Sequence, residues 1–323
     1  MSFSNSVLKL DCASEVERIT GFIRRYIRQV RRKGAVVALS GGIDSSVVVA
    51  LCARAVGAAR VHALLMPEKE SDSLSGSLAM QVVECCGVAW SEEPIQGLLD
   101  GAGCYERRTA AIRKVVPEFD EDWKCKVTLP GILEGEAYRI FHLVVESPDG
   151  ERREVRLNLE AYLGILAANS FKQRSRKMLE YYYADRFHYV VAGTPNLLEY
   201  DQGFFVKGGD GLADLKPIAH LYKSQVYELA AFLELPEEVQ RRTPTTDTFS
   251  LPQTQDEFYF ALPYREMDLC LYALNHGIPA SEVAPAVGLT PEQVKHVFAD
   301  IRAKREATRY LHMGPAVMEN PPA

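Results

Sequence analysis

The 323-residue chain contains no Cys-x-x-Cys pair. Its seven cysteines, at positions 12, 52, 85, 86, 104, 125 and 270, are odd in number and lack metal-ligand spacing. A zinc module or a disulfide scaffold is thereby excluded, and free thiols in a reducing cytosol are expected. Net positive charge is also missing. The 37 Lys and Arg against 43 Asp and Glu leave −6, which argues against a generic polyanion binder. No apolar run approaches a membrane span, and the opening Met-Ser-Phe-Ser-Asn-Ser has no charged-then-apolar export signal. A cytoplasmic protein with no membrane association is expected. No internal repeat is found.

What is present is an ordinary globular composition, 47% apolar and 25% charged, enough for one large α/β domain or two smaller ones. The most informative stretch is Ser40-Gly41-Gly42-Ile43-Asp44-Ser45-Ser46. The apolar run Ala35–Leu39 before it reads as a buried parallel strand, and Val47–Arg54 after it continues as a buried helix. A turn in that context converges its backbone N–H groups on an anion at a helix N-terminus. Gly41 and Gly42 permit the sharp turn, the serines add hydroxyl donors, and Asp44 adds a carboxylate able to hold Mg²⁺ beside phosphates. The turn matches neither GxxxxGK[ST] nor GxGxxG.

Along the chain, Val16, Ile19, Ile23, Tyr26, Ile27 and Val30 recur at helical spacing within residues 13–32, with arginines on the outer face. Val61–Met66 reads as a second buried strand, and Ser73–Cys86 as a helix capped by Gly87. His62, inside that apolar strand, reads as structural. Residues 105–117 are expected to be helical. Between about 118 and 157 the pattern turns polar, then reads as a hairpin from Tyr138 with its turn at Ser147-Pro148-Asp149-Gly150, an insertion or flap between core elements. Helix returns from Leu159 to Asp185, a third strand runs over Tyr189–Thr194, and Leu221–Leu233 is helical. From Pro236 to about Tyr310 the remainder is expected to be helical. The alternation predicts an α/β fold, a doubly wound parallel sheet with an inserted β-hairpin and a helical C-terminal region, within a single domain spanning 1–323. Residues 278–298 have helix-turn-helix spacing, but Pro285 falls inside the first helix and acids stand on the second, so packing, not nucleic-acid binding, is expected.

The Ser-Gly-Gly-x-Asp-Ser turn resembles the pyrophosphate loop of the N-type ATP pyrophosphatases, the adenine nucleotide alpha hydrolase-like fold. Gly193-Thr194-Pro195-Asn196-Leu197-Leu198-Glu199, the Gly203–Asp214 stretch, Pro217, Leu221-Tyr222-Lys223, Pro244-Thr245-Thr246-Asp247 and Gln255-Asp256-Glu257 sharpen that likeness. Together they resemble the ammonia-dependent NAD⁺ synthetase family over roughly residues 15–115 and 158–310.

The resemblance implies amidation of deamido-NAD by ammonia and ATP through an acyl-adenylate, releasing NAD⁺, AMP and pyrophosphate. It implies that Asp44 and Glu199 hold Mg²⁺, and that Ser40, Gly41, Gly42, Ile43, Asp44, Ser45, Ser46, Thr194, Lys223 and Thr245 contact ATP. Arg174, Lys207 and Asp214 then contact deamido-NAD, and Asp210 stands where ammonia arrives. Asp44, Lys207 and Asp210 are the candidate catalytic groups. The chemistry suits these residue types, because attack of a carboxylate on the α-phosphate brings anions together that cations and backbone amides must neutralise. Only 39 residues precede Ser40, so ammonia is expected to be used directly or to come from a separate glutaminase subunit. The resemblance also implies a homodimer.

The sequence departs from the family pattern in four places. No His-Lys pair occurs in the Arg302–Tyr310 region, Lys177 replaces the methionine usual after Arg-x-Arg, Pro195 precedes the asparagine usual after Gly-Thr-Gly, and the 118–157 stretch lies outside the minimal pattern. The rival reading is a related amide ligase acting on a different carboxylate. A less favoured one is a nucleotide-binding protein without catalysis.

Overall fold

The computed structural model describes residues 3–129, 141–245, 249–254, 256–260 and 262–318. Helix α1 (Cys12–Gln29) starts at Asp11, whose side chain accepts from the Ser14 amide, and its stripe of Val16, Ile19, Ile23 and Ile27 is buried. Strand β1 (Ala35–Ala38) runs into helix α2 (Ile43–Val56), and strand β2 (Val61–Leu65) is buried throughout. Helix α3 (Ser73–Cys86) is capped by Asp72 and ends at Gly87 in the left-handed region, as its sequence signals require. Strand β3 (Ala89–Glu92) and helices α4 (Gln96–Gly101) and α5 (Cys104–Ile112) follow.

Next come strands β4 (Lys124–Thr128), β5 (His142–Glu146) and β6 (Arg152–Arg156), then the 29-residue helix α6 (Leu159–Phe187), with Asn158 as N-cap. The two-residue strand β7 (Val190–Val191) leads to helix α7 (Leu197–Gln202) and, after a long turn, helix α8 (Lys223–Phe232). Helices α9 (Glu237–Arg241), α10 (Tyr264–Asn275), α11 (Ala280–Val287) and α12 (Pro291–His312) complete the described chain.

The main sheet has the order β3-β2-β1-β7, and each pairing is parallel. Its strands are apolar on both faces because helices cover both. Val37 and Ala63 pack with residues of α1, α2 and α8, whereas Val36 and Leu64 pack with Tyr183 and Ala184 of α6. The chain leaves β1 toward β2 and returns on its other side as β7. The strand order therefore reverses beside β1, and a doubly wound sheet opens its ligand crevice at that point, beyond the carboxyl ends of the strands. Both the Ser40 turn and Gly193-Thr194 lie there.

Three expectations need correction. The 118–157 stretch is not a hairpin alone: β4 joins β5 and β6 in an antiparallel sheet of three strands. Lys124, Lys126 and Thr128 alternate with buried Cys125 and Val127, a period-two pattern that the polar composition obscured. Its described strands are packed, since Cys125, Val127, Leu143 and Val145 share a core with Ala111, Ile112, Ala161, Ile165 and Phe249. The hairpin turn stands at Ser147–Gly150, where the Gly150 amide donates to the Ser147 carbonyl. Tyr138, its expected start, lies outside the described residues. The main sheet also contains β3, an edge strand exposed at three of its four positions, which left no apolar run to read.

The third correction concerns residues 242–262, which are not continuous helix. Beyond α9 the chain is irregular, Thr245 bridges Thr254, and a π-helical turn spans Asp256–Phe260. Prolines at 244 and 252 cannot donate the amides that a helix there would need. Helices α11 and α12 pack through Val283, Val287, Val294, Val297 and Phe298 into a second core with Met267 and Leu271 of α10.

Candidate active site

The turn after β1 is built by its own hydroxyls. Ser45 Oγ and Ser46 Oγ donate to the Gly42 carbonyl at 3.0 and 2.8 Å, and the Ser40 amide donates to Ser45 Oγ at 3.3 Å. Gly41 has φ +73°, and a Cβ there would lie 2.5 Å from the Ser75 carbonyl oxygen of α3. Only glycine lets the turn lie flat against that helix. The turn opens into a cavity of about 970 Å³. Ser40, Gly42, Ile43, Asp44 and Ser45 line it, and so do Thr194, Glu199 and Thr245. Gly41 and Ser46 stand behind the lining and shape it. Thr246, Asp247 and Gln255 lie outside the described residues, as do the side chains of residues 256 and 257.

Three separate segments meet at Asp44. Asp44 Oδ2 forms an ion pair with Lys223 Nζ, and Asp44 Oδ1 accepts from Asn196 Nδ2 at 3.1 Å. Asn196 is the N-cap of α7. Its Oδ1 accepts from the Glu199 amide, and Glu199 Oε2 accepts from the Asn196 amide at 3.1 Å, a capping box that orients the glutamate. Lys223 is fully buried at the first turn of α8, where Asp268 accepts from the amides of Lys223 and Ser224 at 3.2 and 2.7 Å. Burial and the Asp44 charge raise the Glu199 pKa. Burial opposes the charge on Lys223, but Asp44 and Glu199 overcome it and hold its pKa above the ordinary value. Asp44 and Glu199 thus line the cavity at this turn, with Lys223 buried behind Asp44.

The other expected residues separate. Asp210 lines the cavity, accepts from the Val206 amide at 2.7 Å, and has its pKa raised by burial. Arg174 lines the exposed rim, its Nε donating to the Lys207 carbonyl at 3.3 Å. Lys207 also reaches the cavity, but its ammonium donates to the carbonyls of Tyr310 and Met313, both at 2.8 Å, where it satisfies the end of α12. Asp214 lies outside the cavity lining. Its Oδ2 accepts from the Val191 amide at 2.7 Å and its Oδ1 from Tyr181 Oη at 3.3 Å, so it closes the end of β7.

Sequence reasoning passed over several groups. Arg242 lines the cavity and donates to Asp72 Oδ2 at 3.1 Å and Ser75 Oγ at 2.9 Å, tying the Thr245 segment to α3. Lys172 is buried against Glu68 and Glu70 at 2.9 and 2.5 Å, and Arg108 forks onto Glu70. That network fixes the 67–72 loop at the cavity rim. Lys177 is buried with Glu180 at 2.7 Å, and both line the cavity. Lys304 of α12 lines it too, donating to the Tyr259 carbonyl at 2.6 Å. No local sequence signal names the partner of any of these basic residues.

With this geometry established, comparison with known proteins is informative. The NAD synthase family model matches residues 15–110 and 155–309, leaving out most of the inserted sheet. The NH(3)-dependent NAD(+) synthetase of Rhizobium meliloti (strain 1021) is 56% identical over 317 residues, 98% of this chain and 95% of that relative. Among solved structures, NMN synthetase from Francisella tularensis matches with a TM-score of 0.63 and 20% identity, over 97% of this chain and 100% of that one. NH3-dependent NAD synthetase from Campylobacter jejuni subsp. jejuni NCTC 11168, in complex with the nitrate ion, matches with a TM-score of 0.62 and 23% identity, over 96% and 100%. At such identities the two structures speak for the fold alone. The long sequence matches place the chain in the NAD synthase family.

Proposed function

We propose that this enzyme amidates deamido-NAD with ammonia at the expense of ATP, yielding NAD⁺, AMP and pyrophosphate. The observation that carries the reading is the meeting of Asp44, Glu199 and Lys223 with the Ser40–Ser46 turn, in a chain 56% identical to an NH(3)-dependent NAD(+) synthetase. In the first step a carboxylate oxygen of deamido-NAD attacks the α-phosphorus of ATP and pyrophosphate leaves. Backbone amides of the turn face the charge that accumulates on the phosphates, and Lys223, buried behind Asp44, adds positive potential from the interior. Ammonia then attacks the acyl carbon, AMP departs, and the nitrogen loses a proton. Asp210, half-buried at the cavity wall with a raised pKa, is placed to bind ammonium or take that proton.

Asp44 and Glu199 fit a magnesium ion. They are two carboxylates from different elements, and burial together with the Asp44 charge raises the Glu199 pKa. Among the described residues no cluster of three or more His, Cys, Asp or Glu forms a closed metal cage. That suits an ion usually held by one or two carboxylates plus substrate phosphates. When bound, such an ion neutralises phosphate charge.

A homodimer belongs to this reading. Leu159 and Leu163 near one end of α6, and Met178 and Tyr182 near the other, are 51–71% exposed, two apolar pairs that a second copy would cover. So does a cytoplasmic setting, with ammonia arriving free or from a separate glutaminase.

The test supplies ATP, Mg²⁺ and ammonium chloride with and without deamido-NAD, and follows pyrophosphate and NAD⁺ together. Stoichiometric NAD⁺, AMP and pyrophosphate are expected. Pyrophosphate release that requires some other carboxylate, with no NAD⁺ formed, overturns the acceptor assignment.

A further inference from the structure

The cavity follows one face of α6. Tyr162, Leu166, Asn169, Gln173, Lys177 and Glu180 line it in turn, at the three-to-four spacing of one helical stripe. The eighteen residue steps from Tyr162 to Glu180 span about 27 Å. The inner end abuts the strand termini, where Arg176 Nε donates to the Met66 carbonyl at 3.2 Å. The outer end abuts the inserted sheet. A nucleoside triphosphate with its phosphates on the Ser40–Ser46 turn would start at the inner end, and the length of α6 beyond it is available to the acceptor.

That outer end is apolar and aromatic. Phe141, at the entry to β5, stacks on Tyr162 with ring centroids 4.3 Å apart and planes at 15°. It is half-buried, its carbonyl accepts from the Leu157 amide at 2.9 Å, and it lines the cavity beside Leu166, which is 43% exposed. Phe249 and Phe258, 5.8 Å apart edge to face, continue the same wall. Phe141 belongs to residues 111–154, which the NAD synthase family model does not match. The inserted sheet is held rigidly by its shared core with α5 and α6, so the ring is presented by a packed scaffold.

We infer that the inserted sheet builds the outer end of the acceptor site, with Phe141, stacked on Tyr162, receiving the planar ring of the acceptor farthest from the carboxylate. The reacting carboxylate must lie at the α-phosphate of ATP, near the inner end. In a dinucleotide acceptor the distant ring is the adenine, and aromatic faces bind bases by stacking. Phe141 is thus a specificity-determining residue, favouring an acceptor with a second nucleotide over one without it. This rests on the function proposed above.

The test compares kcat/KM for deamido-NAD with that for nicotinic acid mononucleotide, which carries the same carboxylate but no adenine. Wild type is expected to prefer the dinucleotide. Phe141→Leu keeps apolar volume but removes the ring face, and should cut that preference about tenfold. Phe141→Tyr should restore it, and the KM for ATP should stay unchanged in both. Equal loss toward both acceptors, or an unchanged ratio, overturns the inference while leaving the proposed function standing. A wild-type chain that amidates neither acceptor overturns the proposed function itself, and this inference with it.

Discussion

The two ends of the cavity are built differently. At the nucleotide end, side chains bond to side chains across long stretches of chain: Asp44 to Lys223, and Asp44 to Asn196. Other motif residues are engaged with main chain: Lys207 at the cavity with the carbonyls that end α12, and Asp214, outside the cavity lining, with the Val191 amide. The end at the Ser40–Ser46 turn, proposed to take the nucleotide, is assembled around paired charges. Lys207 and Asp214 instead hold α12 and β7 in place, and the cavity wall at the inserted sheet is aromatic. A charged residue in a motif therefore acquires its role from the atom it meets, and the two ends should respond differently to substitution.

The sharpest test of the contrast removes the central cation. Lys223→Met leaves Asp44 and Glu199 facing each other without compensation, so turnover should vanish. Breaking a buried pair costs about 3–5 kcal/mol, readable as a shifted urea midpoint. An active, fully stable variant would break the comparison at its strongest point. Asp44→Ala should be milder on the fold, because Glu199 remains as the anion near Lys223. Mg²⁺-dependent pyrophosphate release should still drop by about 10²–10³-fold, the loss typical of one group that stabilises transition-state charge. Unchanged turnover would remove Asp44 from any metal role.

The loop at the rim offers a test that uses pH. Burial pushes the Glu70 carboxyl up, but Arg108 and Lys172 outweigh it and bring the pKa from 4.5 down to about 2. A depressed carboxylate stabilises the fold above its unfolded value and loses that contribution as pH falls through the folded one. The gap corresponds to about 3 kcal/mol, fully present above about pH 4.5 and gone near pH 2. Urea unfolding should show wild type ahead of Glu70→Gln at pH 6, with the difference shrinking on acidification. A constant difference would remove the carboxylate's charge from the network.

The smallest effect is expected at Lys207. Lys207→Ala should raise the KM for the acceptor about tenfold, equivalent to about 1.4 kcal/mol, while kcat changes little, because a loosened α12 weakens binding uniformly. A collapse of kcat instead would place its ammonium on the reacting groups and bring the acceptor end closer to the nucleotide end.

Much of this architecture was legible in advance. Asp72 and Gly87 marked both ends of α3, the apolar runs marked β1 and β2, and the Ser-Gly-Gly-x-Asp-Ser turn marked the crevice. Strand β3 was not legible, since an edge strand needs no continuous apolar face. Strand β4 was hidden by lysines on its outer face, although Cys125 and Val127 carried the alternation. At the site, Asp44, Glu199 and Lys223 were each legible as a charged residue within a motif. The salt-bridged network of Glu68, Glu70, Arg108 and Lys172 was not, because each member alone looks like a solvated charge.

The sequence by itself determined most of the elements: the capped helices, the buried strands β1 and β2, and the glycine turn after β1. Those signals are local, since caps, glycine turns and apolar periodicity act within a few residues. Tertiary structure alone decided the partners. Lys223 lies 179 residues from Asp44, and Lys172 lies 104 from Glu68. Only the folded backbone brings such groups within bonding distance, and there burial and neighbouring charge settle whether a side chain serves the reaction or the fold.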